Sequence, residues 1–248
     1  MLKAFRFTIG AIFVVPLLIL SYIFGVSIAS LFRACKNEKA SLAVSHFWLR
    51  ILIWAIMFFF GGRVHVIGRE NIPTSGRICF VANHQSMIDV VALLYPAHVW
   101  CGFIGKVEIK KIPIVSAWFD LIKAVYIDRK SPRDSIKAIL QGSKQIEEGY
   151  PMGIFPEGTR SKDEVVHEFK AGSFKMATRV GATIIPVVIK GTRDIFENGY
   201  SLLPRPVYVE YLKPIDTSVM DEDEIKNVHT VVENEIRSAY NALPSRKM

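Results

Sequence analysis

A histidine and an aspartate five residues apart, His84 and Asp89, are the side chains in this chain best placed to move a proton. They follow an apolar run, Ile-Cys-Phe-Val-Ala at 78–82, that reads as a buried strand, and lead into Val-Val-Ala-Leu-Leu at 90–94, which reads as a helix. His84 then occupies the strand-to-helix turn at the carboxyl end of a strand, where open α/β sheets place their ligands. From the first helical turn Asp89 can fold back onto one ring nitrogen. That fixes the tautomer and leaves the other nitrogen free to accept a proton near neutral pH. Ser86 and Asp89 also fit a capping box, with Ser86 as the cap and Asp89 answering from the third helical position. Ser86 invites a second reading as a nucleophile, but the flanking residues lack the Gly-x-Ser-x-Gly elbow, so the helix cap is preferred.

The elements that must position this pair alternate along the chain. Short β-type runs fall at 64–68, 78–82, 100–104, 124–128, 152–155, 182–189 and 207–211, and helical segments include 135–148, 172–180 and 223–243. The pattern predicts an α/β fold with a largely parallel central sheet of about seven strands flanked by helices. Pro186, inside the sixth apolar run, predicts an edge strand or a bulge there. Several runs are followed at once by a polar or ionic side chain: His84, Lys106, Arg129, and Glu157 with Arg160. In a parallel sheet those ends gather along one rim, so a proton acceptor would stand beside two or three cations that suit an anion. Arginine fits a phosphate because its planar fork donates two hydrogen bonds at once. Pro156-Glu157-Gly158-Thr159 reads as a tight turn offering further backbone and hydroxyl donors. Asp128 is placed to steady Arg129. Lys110, Lys111, Lys130 and Arg133 read as solvated charges or as general attraction to an anionic surface.

The 248 residues suffice for one large α/β domain and an appendage, and the composition locates the appendage at the start. Residues 7–32 contain no charged side chain, enough for a helix to cross a ~30 Å hydrocarbon layer. A second apolar stretch, 51–60, is shorter and reads as too short to span comfortably. Residues 1–60 carry six Lys/Arg and one Glu, five of the eight net positive charges. Basic residues flank the first stretch on both sides, Lys3 and Arg6 before it and Arg33, Lys36 and Lys39 after it. That symmetry is unlike the imbalance of a spanning helix and favours a hairpin inserted in one leaflet, kinked at Gly10 or Pro16. The reading therefore divides the chain into a membrane-anchoring hairpin, 1–61, and an α/β domain, 62–248. The basic balance sits mostly on the apolar hairpin, which argues against nucleic acid as partner. Cys35, Cys79 and Cys101 show no metal-like spacing, and their odd number favours a reducing compartment, with the α/β domain in the cytoplasm.

Four blocks extend the argument: Asn-His-Gln-Ser-Met-Ile-Asp at 83–89, Tyr-Ile-Asp-Arg at 126–129, Phe-Pro-Glu-Gly-Thr-Arg-Ser at 155–161 and Ile-Pro-Val at 185–187. In order and spacing they resemble the blocks of the glycerolipid acyltransferases, of the bacterial 1-acyl-glycerol-3-phosphate acyltransferase type, over roughly residues 62–215. The resemblance implies that His84 is the general base and that Asp89 orients it. It implies that Arg129, Glu157, Gly158, Thr159 and Arg160 hold the acceptor, the arginines on its phosphate and Glu157 on its glycerol side. Pro186 would shape the site or the acyl-donor side, and Lys106 joins the anion site from the rim argument. The implied substrates are lysophosphatidic acid and an acyl thioester, acyl-CoA or acyl carrier protein, with no metal or other cofactor. The implied location is the cytoplasmic membrane, amid anionic lipid. Three alternatives stay open on the residues: glycerol-3-phosphate or another lysophospholipid as acceptor, a non-catalytic phosphatidic-acid-binding membrane protein, and a serine hydrolase of lipid esters. Residues 112–119 read either as a lining for incoming lipid or, preferably, as core.

Overall fold

The computed structural model describes residues 2–128, 130–197 and 204–244. The chain opens with α1 (Leu2–Leu20), a π-helical segment (Ser21–Val26) and α2 (Ser27–Ala34), which form one rod. The rod packs on α3 (Glu38–Phe60) to make a hairpin, with Phe13 stacked on Phe59 and Gly25 against Trp48. Pro16 lies inside α1, which runs on through it; the departure from α-helical bonding falls instead at Ser21–Val26. It brings Gly25 so close to two indoles that a Cβ there would stand 2.7 Å from Trp48 and 2.9 Å from Trp118.

The second hairpin helix is longer than its apolar stretch. Asn37 caps it by accepting from the Ala40 N–H at 3.1 Å, so α3 begins at Glu38 and runs for 23 residues. Its polar first half is folded inward, with Ser41 and Ser45 buried. Both arms of the hairpin are thus long and apolar enough to cross a bilayer. Apolar side chains such as Phe13, Phe24, Leu31, Phe47, Trp54 and Phe58 stand exposed along them. A surface of that kind suits a lipid environment.

The remaining elements follow as β1 (Gly62–Ile67), β2 (Ile78–Ala82), α4 (Asp89–Leu94), β3 (Gly102–Lys106), α5 (Pro113–Leu121), β4 (Val125–Ile127) and α6 (Pro132–Glu147). After these come β5 (Met152–Ile154), α7 (Ala171–Thr178), β6 (Thr183–Lys190), α8 (Arg193–Phe196), β7 (Arg205–Tyr211), β8 (Ile215–Asp216) and α9 (Glu222–Ala242). The fold is α/β with a mostly parallel central sheet between helices. Among the described residues the sheet has eight strands, one more than the apolar runs predict, in the order β1-β7-β6-β2-β5-β3-β4, with β8 paired to β6. The two-residue β8 is too short to register as an apolar run.

β2, β3, β4, β5 and β6 run parallel to one another; β7 is antiparallel to β6, and β1 is parallel to β7. Strand side chains alternate between two cores. Phe80, Ile185 and Val187 face α4 and the Ile53 and Met57 side of α3, whereas Cys79, Val81 and Ile184 face α6, α7 and α9. Pro186 does not mark an edge or a bulge: β6 is an interior strand, with Pro186 in regular register opposite Val81. Its other side explains the tolerance. There β8 pairs up to Ile184 and β7 takes over from Val187, so the missing N–H falls where one partner strand gives way to the next.

The hairpin docks on this sandwich along its length. Trp118 and Leu121 of α5 form a cluster with Ala29 and Leu52; within 112–119 Trp118 is buried, Ile114 packs against the cluster, and Ile112 and Pro113 are exposed. At the elbow, Arg33 donates from both Nη atoms to the Asp120 and Leu121 carbonyls at the end of α5, and Lys123 pairs with Glu38. Arg33, one of the basic residues flanking the first apolar stretch, is engaged within the protein at the carboxyl end of α5.

Candidate active site

The rim forms as the alternation predicts, because β6, β2, β5, β3 and β4 are parallel neighbours whose carboxyl ends share one edge. Along it stand, in order, Thr192, His84 and Glu157, two or three residues past the ends of their strands, and Lys106, the last residue of its own. Arg129, which would follow β4, lies outside the described residues. Asp128 caps the turn there by accepting from the Lys130 N–H.

The His84–Asp89 pair is made. His84 Nδ1 lies 2.8 Å from Asp89 Oδ2, with Asp89 fully buried and the imidazole 14% exposed. A carboxylate only accepts hydrogen bonds, so Nδ1 donates to it, and in the neutral ring the lone pair falls on Nε2. The ring is stacked on Phe155, centroids 4.2 Å apart. Asp89 is held by more than the histidine: Oδ2 also accepts from the Gln85 and Ser86 N–H groups at 2.6 and 2.8 Å, and Oδ1 accepts from Thr192 Oγ1 at 2.6 Å. Asn83 fastens the turn to β6 by a two-way bond with the Ile189 backbone, 2.8 Å in each direction.

The capping box forms in half. Asp89 reaches back to Ser86 N, but Ser86 Oγ accepts from Ile88 N at 3.2 Å and α4 begins only at Asp89. Ser86 therefore caps the turn, one step before the helix. It is fully buried, beyond the reach of a lipid ester, which removes the serine-nucleophile reading.

Glu157 joins two loops. Its Oε1 accepts from the His84 N–H at 2.7 Å and its Oε2 from the His167 N–H at 3.4 Å. Burial pushes its carboxyl up to about 7, against the pull of those two N–H donors, and the nearby Asp89 charge adds to the rise. Gly158 takes a left-handed backbone, φ +74°, which favours glycine, and the Lys170 side chain lies over it. Thr159 and Arg160 are exposed beyond it. Arg160 pairs with Glu197 at 3.2 Å, and the same Glu197 oxygen accepts from Met87 N. Lys106 is exposed at the end of β3. Pro186 is buried within β6, below the rim rather than on it.

Several members of the site were missed from the residues alone: Thr192, Phe155, Lys170 and Glu197. Only Thr192 carried a usable signal, as a polar residue directly after a predicted strand. The N–H groups of residues 84–89 are all engaged, by Glu157, by Asp89 twice, by Glu197, by Ser86 Oγ and by the Ser86 carbonyl. This turn has no backbone donor left for a developing oxyanion.

The arrangement can take a proton at Nε2 of an oriented imidazole beside exposed cations. Proteins of known name are similar to this chain over most of its length. The chain is 29% identical to a 1-acyl-sn-glycerol-3-phosphate acyltransferase of Borreliella burgdorferi over 199 residues, 78% of each chain. A chloroplast enzyme of that name from Arabidopsis thaliana is 31% identical over 157 residues, 63% of this chain but 42% of the plant protein. The crystal structure of the 1-acyl-sn-glycerophosphate acyltransferase of Thermotoga maritima superimposes with a TM-score of 0.81 at 25% identity, covering both chains completely. The family described as Acyltransferase matches residues 63–190, a span from β1 to the end of β6 that holds His84, Asp89, Glu157 and Arg160, and the chain belongs to that family.

Proposed function

We propose that this acyltransferase moves an acyl chain from an acyl thioester, acyl-CoA or acyl carrier protein, to the free hydroxyl of lysophosphatidic acid. The products are phosphatidic acid and the free thiol carrier. The observation that carries the reading is the imidazole held by a buried carboxylate, Nδ1 to Oδ2 at 2.8 Å, with its other nitrogen at the rim. His84 Nε2 takes the hydroxyl proton as the oxygen attacks the thioester carbonyl. The tetrahedral intermediate then expels the thiolate, which receives that proton from the imidazolium. Asp89 stabilises the imidazolium without taking its proton. The acceptor phosphate lies among Lys106, Arg129 and Arg160, with Gly158 and Thr159 lining its approach and Pro186 shaping the floor from within β6. Glu157, its oxygens taken by two backbone N–H groups, serves the site by holding the His84 turn against the loop that carries Arg160. The names of the relatives in the spirochaete and the chloroplast support the choice of acceptor.

The hairpin, 1–61, serves as anchor and brings the rim of the domain, 62–248, to headgroup level in the cytoplasmic membrane. Insertion in one leaflet is supported by the elbow. Arg33 and Glu38 bond to α5 and Lys123 of the α/β domain, a contact that a bilayer between them would forbid. Holding the rim there spares the reaction the extraction of an acyl chain into water, at ~0.8 kcal/mol per CH₂.

The test is acyl transfer to lysophosphatidic acid in liposomes, with each thioester in turn. Wild type should form phosphatidic acid, and His84→Ala should lose about 10²–10⁴-fold in kcat. Undiminished turnover by His84→Ala would remove the base from the mechanism.

A further inference from the structure

The structure assigns Thr192 as a positioning residue of the proton-transfer pair, one that acts on His84 through the free edge of Asp89. Its hydroxyl is fully buried and donates to Asp89 Oδ1 at 2.6 Å. The two oxygens of Asp89 are not equivalent. Oδ2 takes the imidazole and two backbone N–H groups of its own turn, whereas Oδ1 accepts from Thr192, 103 residues further along the chain. Three donors at one oxygen fix its position but leave the carboxylate plane free to turn about it. The Thr192 hydroxyl at the far oxygen stops that rotation. It also satisfies a buried acceptor that water does not reach.

The placement of Thr192 is built into the backbone. Gly191 has φ +93°, and a Cβ there would run into the Pro206 carbonyl oxygen, a turn closed to a side chain. Asn83 clamps Ile189, so the end of β6 and the start of the His84 turn move as one piece. A carboxylate turning about Oδ2 would carry its lone pairs out of line with Nδ1–H, and the imidazole would tilt after them and displace Nε2 by a fraction of an ångström. Misplacements up to about 1 Å at such groups cost on the order of 10²-fold in rate.

The inference rests on His84 as base and is tested alongside it. Thr192→Val keeps the shape and removes the donor; Thr192→Ser keeps the donor. Acyl transfer and the low-field Nδ1–H proton resonance, identified by its absence in His84→Ala, are measured for each variant with full-length protein in micelles. Thr192→Val should lower kcat about 10- to 100-fold, leave the KM of both substrates near the wild-type value, and broaden the resonance by exchange. Thr192→Ser should restore both. If Thr192→Val does not fold, Thr192→Ala removes the same hydroxyl with less steric demand and is read in the same way. Wild-type kcat with a sharp resonance in the variant lacking the hydroxyl would overturn the assignment. So would equal losses in the Val and Ser variants, which would mean packing alone. A wild type that shows the resonance but transfers nothing would count against the proposed reaction, while the resonance in the variants would still decide the role of Thr192.

Discussion

His84, Asp89 and Glu157 bind one another through backbone as much as through side chains, and that makes their substitutions separable. Glu157 holds its proton up to about pH 7 in the fold, against an ordinary value of 4.5. Between those values the folded state binds more protons than the unfolded chain, so stability falls as pH rises and levels off above about 7. The full difference is about 3 kcal/mol. Glu157→Gln should abolish that slope, read as the urea midpoint at pH 5 and 7.5; parallel slopes in the two proteins would assign the proton elsewhere. Arg160 offers a different readout. It is partly exposed and meets Glu197 rather than the His84–Asp89 pair, so Arg160→Ala should raise the KM for the acceptor several-fold with little change in kcat. An unchanged KM would take Arg160 out of the phosphate site. His84 and Asp89 were legible in the sequence because they are five residues apart in one turn. Thr192 was not, because the hydrogen bond that gives it a role spans 103 residues.

At the scale of elements, glycine distinguishes positions that a sequence shows as alike. Gly25, at the crossing of the π-helical segment with α3 and α5, has no room for a methyl group beside Trp48 and Trp118. Gly25→Ala should destabilise by about 1–3 kcal/mol. Gly172 in α7 has no neighbour within 4 Å of a Cβ, so Gly172→Ala should stabilise by about 0.5–1 kcal/mol. Thermal midpoints of the two variants in one detergent decide both, and equal shifts would contradict the packing described. The parallel strands could be read from their apolar runs, since strands buried on both faces need no alternation with polar residues. β8 and the first half of α3 could not. A two-residue strand exists only through its partner, and α3 hides two serines and starts from an asparagine cap. Pro186 misled for a related reason: the rule that excludes proline from interior strands assumes a continuous neighbour, and here the neighbour changes.

On the scale of the whole molecule, the elbow is the place to ask how the protein meets the bilayer. Cys35 is exposed there, whereas Cys79 and Cys101 are buried and burial pushes both thiols up, Cys79 to about 12. In vesicles carrying the α/β domain outside, a membrane-impermeant maleimide should label Cys35 alone, without lysis. Labelling that waits for lysis would mean that the hairpin crosses the membrane. The reversed direction of β1 and β7 has a consequence in time. β1 pairs with β7, from Gly62 against Arg205 to Ile67 against Glu210, so the strand that leaves the hairpin meets its partner only after about 140 more residues are made. At about 5–20 residues per second, that is roughly 7–30 s of synthesis. During that interval the apolar hairpin is already clear of the ribosome while the sheet it will dock on lacks its edge. The hairpin, with its exposed apolar side chains, is therefore complete before the β1–β7 edge of the sheet can close.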